Sequence, residues 1–352
     1  MTLGALLERH GGWMESGPSE GPVVSSRVRL ARNLLDTTFP GWASKDVRNR
    51  VWNEVVLAFD TVEKSETFLR WRMDELEPLD RELLFERHLI SGELAERQEG
   101  SGVFISEDES RAVMVNEEDH IRLQSLQPGL SLQAALAAAD ALDDALEQNL
   151  SYAFSSKLGY LTACPSNLGT GMRASVMLHL PGLCLTEEVK PVINAVSKIG
   201  LAVRGLWGEG SEAAGHMFQI SNQITLGKTE TEIIEHLEQI VLEVIEHEKN
   251  ARLRLMDSQD IKVHDHIGRA YGILANAALM TSGEALDLLS AIRLGADLGL
   301  LPDIKRQDID QLFIQIHPAH LQREAGEALS PDERDMKRAQ FIRHFLDGEE
   351  DR

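Results

Sequence analysis

Y-L-T-A-C-P-S-N-L-G-T-G-M-R-A-S-V-M-L-H-L-P, running from Tyr160 to Pro181, is the stretch from which the fold can be worked outward. Tyr160, Leu161 and Thr162 lead in as a short strand, and Pro165, Ser166, Asn167, Gly169 and Gly171 supply turn chemistry. Val176, Leu178 and Leu180 then alternate with Ser175, Met177 and His179, the period of a strand with one buried face. The loop presents Cys164, and the second strand begins with Arg173. A guanidinium fork beside a glycine-rich, backbone-exposing turn suits phosphate oxygens. A strand-end arginine facing solvent explains the same residues nearly as well.

Three other stretches read in the same way. In V-V-S-S-R-V-R-L-A-R-N (Val23 to Asn33), Ser26, Val28 and Leu30 alternate with Arg27, Arg29 and Ala31, so a strand puts Arg27 and Arg29 on one face. Two like charges there repel unless something anionic lies between them. A hairpin from Ser101 to Ser106 and Arg111 to Asn116 runs into N-E-E-D-H-I-R (Asn116 to Arg122), where acids, a histidine and an arginine crowd together. This is either a charged loop or an acid placed to take a proton, with an arginine nearby for an anion. The strand Leu201 to Trp207 carries Arg204 and is followed by G-E-G-S-E-A-A-G, with Glu209 and Glu212, and then by M-F-Q-I-S-N-Q-I-T-L-G. Neither that loop nor Gly227-Lys228-Thr229 has the glycine spacing of a dinucleotide or Walker fingerprint.

Helices are expected at Asp46 to Glu63, Asp80 to Glu99 (holding His88), Leu130 to Lys157, Glu187 to Ile199 and Thr229 to Met256, the last opened by a Thr229/Glu232 capping box. The polar run Asp257 to Lys262 reads as a domain junction, because strand signals stop there. Beyond it come helices at Gly268 to Met280, Ser282 to Leu298, Lys305 to Ile316 and Ser330 to Leu346. The final one starts with Ser330 as N-cap, Pro331 next and Glu333 third in the helix. It carries R-D-M-K-R-A, Arg334 to Ala339, in which Arg334, Asp335 and Arg338 share one face. An ordinary ion pair accounts for this. So does a pocket whose carboxylate holds a guanidinium while its arginines hold a phosphate.

Composition narrows the function. With 57 acidic against 35 basic residues, the formal charge of −22 over 352 residues argues against a nucleic-acid or anionic-membrane surface. Two cysteines, with no C-x-x-C pairing, exclude a disulfide framework and a cysteine zinc site, and point to a reducing compartment. His264 and His266 lack a third ligand nearby, so no metal site is read there. No stretch is long enough to span a bilayer.

Taken together and in order, S-S-R-V-R, N-E-E-D-H-I-R, T-A-C-P-S-N-L-G-T-G-M-R-A-S and V-R-G-x-x-G-E resemble the catalytic domain of the phosphagen (guanidino) kinases over about Val23 to Leu255. Within that family the chain is most similar to the bacterial branch that phosphorylates arginine in proteins, whose phosphoarginine-pocket motif R-D-x-x-R-A recurs at Arg334, Asp335, Arg338 and Ala339. The resemblance implies an α+β fold, an antiparallel sheet flanked by helices as in the glutamine synthetase/guanidino kinase group, spanning residues 1–256. A helical C-terminal domain, 257–352, with phosphoarginine-binding and dimerisation roles would follow. ATP would be bound by Ser25, Ser26, Arg27, Val28, Arg29, His88, Arg122, Arg173, Ala174, Ser175, Val176, Met177 and Arg204. Gly205, Leu206, Trp207, Gly208 and Glu209 would complete that site. Glu118 would be the catalytic carboxylate, Glu209 the second acid on the guanidinium, and Cys164 the thiol beside the reacting nitrogen; Mg²⁺ would accompany ATP.

The same resemblance implies protein substrates with exposed arginines, an McsA-like activator, a CtsR-like heat-shock repressor as target, marking for ClpC–ClpP degradation, and a cytoplasmic homodimer or higher oligomer. Phosphagen kinases carry a helical domain ahead of S-x-R-x-R that closes over a small guanidino substrate. Here the motif begins at Ser25, so an uncapped site open to a protein-borne arginine is expected. A kinase of free guanidino compounds and a catalytically silent phosphoarginine-binding adaptor are the alternatives.

Overall fold

The computed structural model describes residues 4, 11–12, 21–62, 67–97, 99–205 and 214–347. Its centre is β1 (Val23–Arg32), which pairs on one side with β5 (Ile121–Pro128) and on the other with β8 (Met172–His179). Between β1 and β5 the chain forms α1 (Lys45–Val62), β2 (Phe68–Arg72), α2 (Pro78–Glu86), α3 (Gly92–Glu96), β3 (Gly102–Ser106) and β4 (Arg111–Val115). After β5 come α4 (Leu132–Glu147), a small hairpin of β6 (Phe154–Ser155) and β7 (Gly159–Tyr160), β8, α5 (Pro181–Leu185), α6 (Val189–Lys198), β9 (Leu201–Gly205) and β10 (Met217–Asn222). The large sheet is antiparallel throughout, in the order β2-β3-β4-β5-β1-β8-β10-β9. The helices α7 (Glu230–Asn276), α8 (Ser282–Asp297), α9 (Arg306–Gln315), α10 (Pro318–Ala325) and α11 (Pro331–Leu346) complete the described chain. Among the described residues no helix is long and apolar enough to cross a membrane.

Strand alternation separates two chemically different faces. Val28, Leu30, Ile121, Leu123, Met172, Ala174, Val176, Leu178 and Ile220 share one face and pack on α1, α4 and α7 through Val55, Phe59, Ala139, Leu142, Ile234 and Leu237. Burying each of the larger side chains contributes roughly 1.5–3 kcal/mol, and Phe59 stacks on Phe104 with ring centroids 3.9 Å apart. Among the described residues the opposite face is covered at its two ends. Over β3 and β4, Val103, Ile105 and Met114 meet Leu84, Leu89 and Leu94 of the α2–α3 region. At the other end Met217, Val24 and Met177 pack on Leu286, Leu289 and Phe313 of the C-terminal helices. Between these covers the polar face forms a cleft.

Several boundaries differ from the sequence expectations, each for a tertiary reason. The Asp80 to Glu99 region is two helices, α2 and α3, separated by a turn in which His88 takes a left-handed φ of 59°. The Leu130 to Lys157 helix stops at Glu147, because Tyr152 bridges to Leu34 and Ala153 N donates to Asn33 O. Strand β2 and helix α10 have no counterpart in the expectations: F-L-R-W-R lacks clean alternation, and α10 is short. The Asp257 to Lys262 junction is no loop. α7 runs through it with Gln259 alone off helical geometry (φ −138°, ψ 27°), and Leu255, Val263 and Ile267 form one buried cluster across the kink.

Candidate active site

Register places the arginines. Directly opposed residues of paired strands share a face. Arg29 stands opposite both Arg173 and Gln124, Arg27 opposite Ser175, Ala31 opposite Arg122, and Arg204 opposite Gln219. All five arginines therefore line the polar face. Arg27 Nη2 donates to Gln219 Oε1 at 2.8 Å and Arg173 Nη2 to Ser221 Oγ at 3.1 Å. Burial, followed by the charges of Arg173 and Arg122, lowers the Arg27 pKa to about 10. Burial and the Arg27, Arg122 and Arg173 guanidiniums push Arg29 well below its ordinary range, with Glu117 opposing. Among the described residues the buried Arg29 Nε has no hydrogen-bond partner. Mutual repulsion among these guanidiniums, together with a ready donor at Arg29 Nε, is the complement of a polyphosphate.

Ser25, Arg27, Arg29, Ser175, Met177 and Arg204 form the floor of the cleft, and Phe85, His88, Ile90 and Ser91 form a wall. Burial, with Arg27 and His317 nearby, pushes the His88 pKa down to about 3, so its imidazole is neutral. Gln124 Nε2 fixes the turn by donating to the carbonyls of His88 (2.8 Å) and Leu89 (3.1 Å). Ser26, Val28, Ala174 and Val176 face the core side instead. Ser26 Oγ donates to Gly129 O and accepts from Ser131 N. Gly205 ends β9, and Leu206, Trp207, Gly208 and Glu209 lie outside the described residues.

At the edge of the arginine face stands the acidic turn. Asn116 opens it at φ 56°, its amide donating to Arg48 O and Gly100 O. Arg122 forks between two acids: Nη1 to Glu117 Oε1 at 2.5 Å and Nη2 to Glu118 Oε2 at 2.9 Å. Glu117 is fully buried and also accepts from Ser91 Oγ and Glu118 N. Burial works to raise its pKa, but Arg122 and these hydrogen bonds prevail and lower it. Glu118 is half-exposed. Burial raises its pKa, Asp119 and Glu117 add to the shift, and Arg122 resists it. The result is one locked carboxylate behind one accessible, more basic carboxylate.

Asp119 joins this turn to the cysteine loop. Its Oδ1 accepts from Asn33 Nδ2 (2.6 Å) and from Ala163 N (2.7 Å), the residue before Cys164. Asn33 in turn accepts from His120 N and donates to Leu161 O. Cys164 is partly exposed, its Sγ 3.0 Å from Ser166 Oγ. Gly169 and Gly171 turn the loop at φ +102° and +65°; a Cβ on Gly169 would run into the Thr225 carbonyl, and one on Gly171 would sit 2.6 Å from Ala31 O. Glu117, Asp119, Asn33 and Gln219 were not singled out from the sequence. Two acids beside Glu118 were the available signal, but nothing local distinguishes the reacting acid from its supports.

The R-D-x-x-R-A residues lie on α11, within the C-terminal helices. Arg338 is buried, donating to Ile316 O, Met280 O and Asp335 Oδ1, while Ala339 is core. Arg334 and Asp335 are partly exposed beside it.

An arginine-lined sheet face with an accessible carboxylate at its edge offers donors suited to phosphate oxygens beside a group able to accept a proton. Residues 50–251, more than half of the chain, match the ATP:guanido phosphotransferase C-terminal catalytic domain, and residues 260–352 match the protein-arginine kinase McsB C-terminal domain. The chain is 47% identical over 349 residues to a protein-arginine kinase of Halothermothrix orenii, covering 98% of this chain and 99% of the relative. It is 48% identical over 338 residues to that of Symbiobacterium thermophilum, covering 95% and 96%. Among solved structures, the duplicated taurocyamine kinase of Schistosoma mansoni with bound transition-state-analogue components superposes at a TM-score of 0.60 with 31% identity, over 71% of this chain and 36% of that one. Lombricine kinase gives 0.59 at 25% identity, over 69% and 70%. The chain therefore belongs to the guanidino phosphotransferase family and, within it, to the protein-arginine kinases.

Proposed function

We propose that this chain transfers the γ-phosphoryl group of ATP to the guanidinium of arginine side chains in proteins. The observation that carries the reading is the 2.9 Å bond from Arg122 to Glu118, which sets a more basic carboxylate at the rim of a phosphate-complementary face. A guanidinium is a poor nucleophile, protonated and with its lone pairs delocalised. Glu118 orients it and takes its proton as the N–P bond forms and the bond from phosphorus to the β,γ-bridging oxygen breaks, releasing ADP. Arg27, Arg29, Arg122, Arg173 and Arg204 align the phosphates and answer their charge, and the orphaned Arg29 Nε fits such an acceptor. Glu209 would be the second acid on the guanidinium, and Cys164 would stand beside the reacting nitrogen. Mg²⁺ would arrive on the nucleotide, since this ion commonly keeps phosphate oxygens and water as ligands. When bound, it would neutralise phosphate charge.

The division at residues 256/257 belongs to the same reading, supported by the kink at Gln259 and by the two family matches that meet around it. So do a phosphoarginine pocket at Arg334, Asp335 and Arg338, assembly through the C-terminal helices, an McsA-like activator, a CtsR-like repressor as substrate and ClpC–ClpP as the destination of marked proteins in a bacterial cytoplasm. Near-full-length similarity to protein-arginine kinases supports these finer assignments. The test is a ³¹P NMR time course with Mg-ATP, an unfolded arginine-rich protein and free arginine in competition. An acid-labile phosphoramidate on the protein is the expected product. Signal on free arginine alone, or on neither, would overturn the proposal.

A further inference from the structure

Two buried groups grip the junction between α9 and α10. The Glu86 carboxylate, in the last turn of α2, accepts from Ala319 N (2.9 Å) and His320 N (3.2 Å) and meets His320 Nδ1 at 2.8 Å. Arg338 Nε, from α11, donates to Ile316 O at 2.9 Å. With Glu86 7% exposed and Arg338 1%, neither can lose its partners cheaply. The carboxylate also answers the positive end of α10. His317 lies between the grips. Burial pushes its pKa down to about 4, Glu86 pulls upward, and His320 and Arg338 push further down.

The other end of this contact is the cleft. Phe85 and His88, on either side of Glu86 and Arg87, line the wall of the cleft. Arg87 is itself held by a two-bond pair to buried Glu109, at 2.6 and 3.0 Å. The turn bearing His88 is therefore fixed from three directions: by Glu109, by Gln124 on the arginine face, and by the C-terminal helices through Glu86. Of these three contacts, the last is the one that reaches the C-terminal helices.

We infer that the Glu86–His320 clasp positions the nucleotide-binding wall, so that the C-terminal helices set nucleotide affinity without touching the nucleotide. Glu86 and His320 are then positioning residues. The inference rests on the reading of the arginine face as the ATP site.

The experiment uses the full-length chain and two readouts: ATP affinity by calorimetry without any acceptor, and KM for ATP against kcat. His320→Ala and Glu86→Ala are expected to weaken ATP binding and raise KM roughly 3- to 30-fold, with kcat at saturating ATP little changed. The double variant should be no worse than the poorer single one, since both remove one clasp. Glu86→Gln serves if Glu86→Ala fails to fold. The exposed Arg323–Asp80 pair, 3.3 Å apart, joins the same two helices, so Arg323→Gln is the control and should leave affinity alone. Unchanged affinity in clasp variants that lose only thermal stability would overturn the inference, as would additive effects. Those outcomes leave the ATP-site reading standing, whereas a wild type that binds no ATP would remove both.

Discussion

Arg29 and Arg173 face each other directly across the central pair of strands, β1 and β8, with Arg27 two residues along on the same face. Like charges in that relationship weaken a sheet, and here they are also largely removed from water. No carboxylate is hydrogen-bonded to Arg29 in the described structure. The repulsion is held in place by the apolar core on the other side of the same strands. A bound polyphosphate would relieve it, which is what the proposed role of this face in holding ATP requires.

Arg29→Met should therefore separate stability from function. Without nucleotide the variant is expected to unfold at a higher temperature than wild type, gaining of order 1 kcal/mol or less from relieved repulsion. With ATP the wild type should gain a stabilising shift that the variant lacks. Thermal scans with and without ATP check both. A variant less stable than wild type yet still shifted by ATP would make Arg29 an ordinary structural residue.

Glu118→Gln keeps the shape of the side chain and its contact with Arg122 while removing the base. A fall in kcat of roughly 10²–10⁴-fold is expected, with ATP affinity little changed. The pH profile gives a second check. Burial raises the Glu118 pKa, and the base works only when ionised, so activity should fall on acidification at a higher pH than an unperturbed glutamate would give. That acidic limb should vanish from the residual activity of the variant. An identical limb in both proteins would assign it to another group.

The fold was legible where periodicity reports burial on one face. Val28 and Leu30 against Arg27 and Arg29, and Val176 and Leu178 against Ser175 and Met177, place the strands and even the charged face. Sequence alone did not reveal what depends on distant partners. Tyr152 belongs to a bridge with Leu34 rather than to a helix, and Gln259 is a kink because Leu255 and Ile267 bury together across it. In the site, the motif residues were legible as a set, but their division of labour was not. Glu117 and Glu118 are adjacent and chemically identical in sequence, and Arg122 bonds both; burial and the reach of Ser91 make one a support and leave the other accessible.

Asn33 carries more of the site than its place at the end of β1 implies. Its side chain touches Asp119, Leu161 and His120, tying the Glu118 turn to the Cys164 loop. Asn33→Ala leaves a buried carboxylate, a carbonyl and an N–H without this partner, at a cost of roughly 1–3 kcal/mol for each group left unsatisfied. Chemical denaturation should show the loss. In the variant that remains folded, kcat should fall while KM for ATP holds, because the arginine face is untouched. A rise in KM for ATP with normal kcat would contradict this account of the network.

Glu93 gives the acidic cluster a pH signature of its own. It lies next to Glu117, Ser91, Arg122 and Glu118, and its pKa is raised from 4.5 to about 7, first by its hydrogen bond with Glu117, then by burial and by the Glu117 charge. The folded chain thus holds a proton between those values that the unfolded chain has released. This contribution to stability is complete below the unfolded carboxylate value, shrinks as pH rises, and is gone above about pH 7. Glu117, whose pKa is lowered, acts in the opposite sense and outside that window: its contribution is present above the ordinary value and is lost only as pH falls through its depressed one. Glu93→Gln donates to Glu117 without needing a proton, so its stability should decline less from about pH 5 to 7.5 than that of the wild type. Parallel declines in thermal midpoint across that range would show that Glu93 and Glu117 do not share the proton.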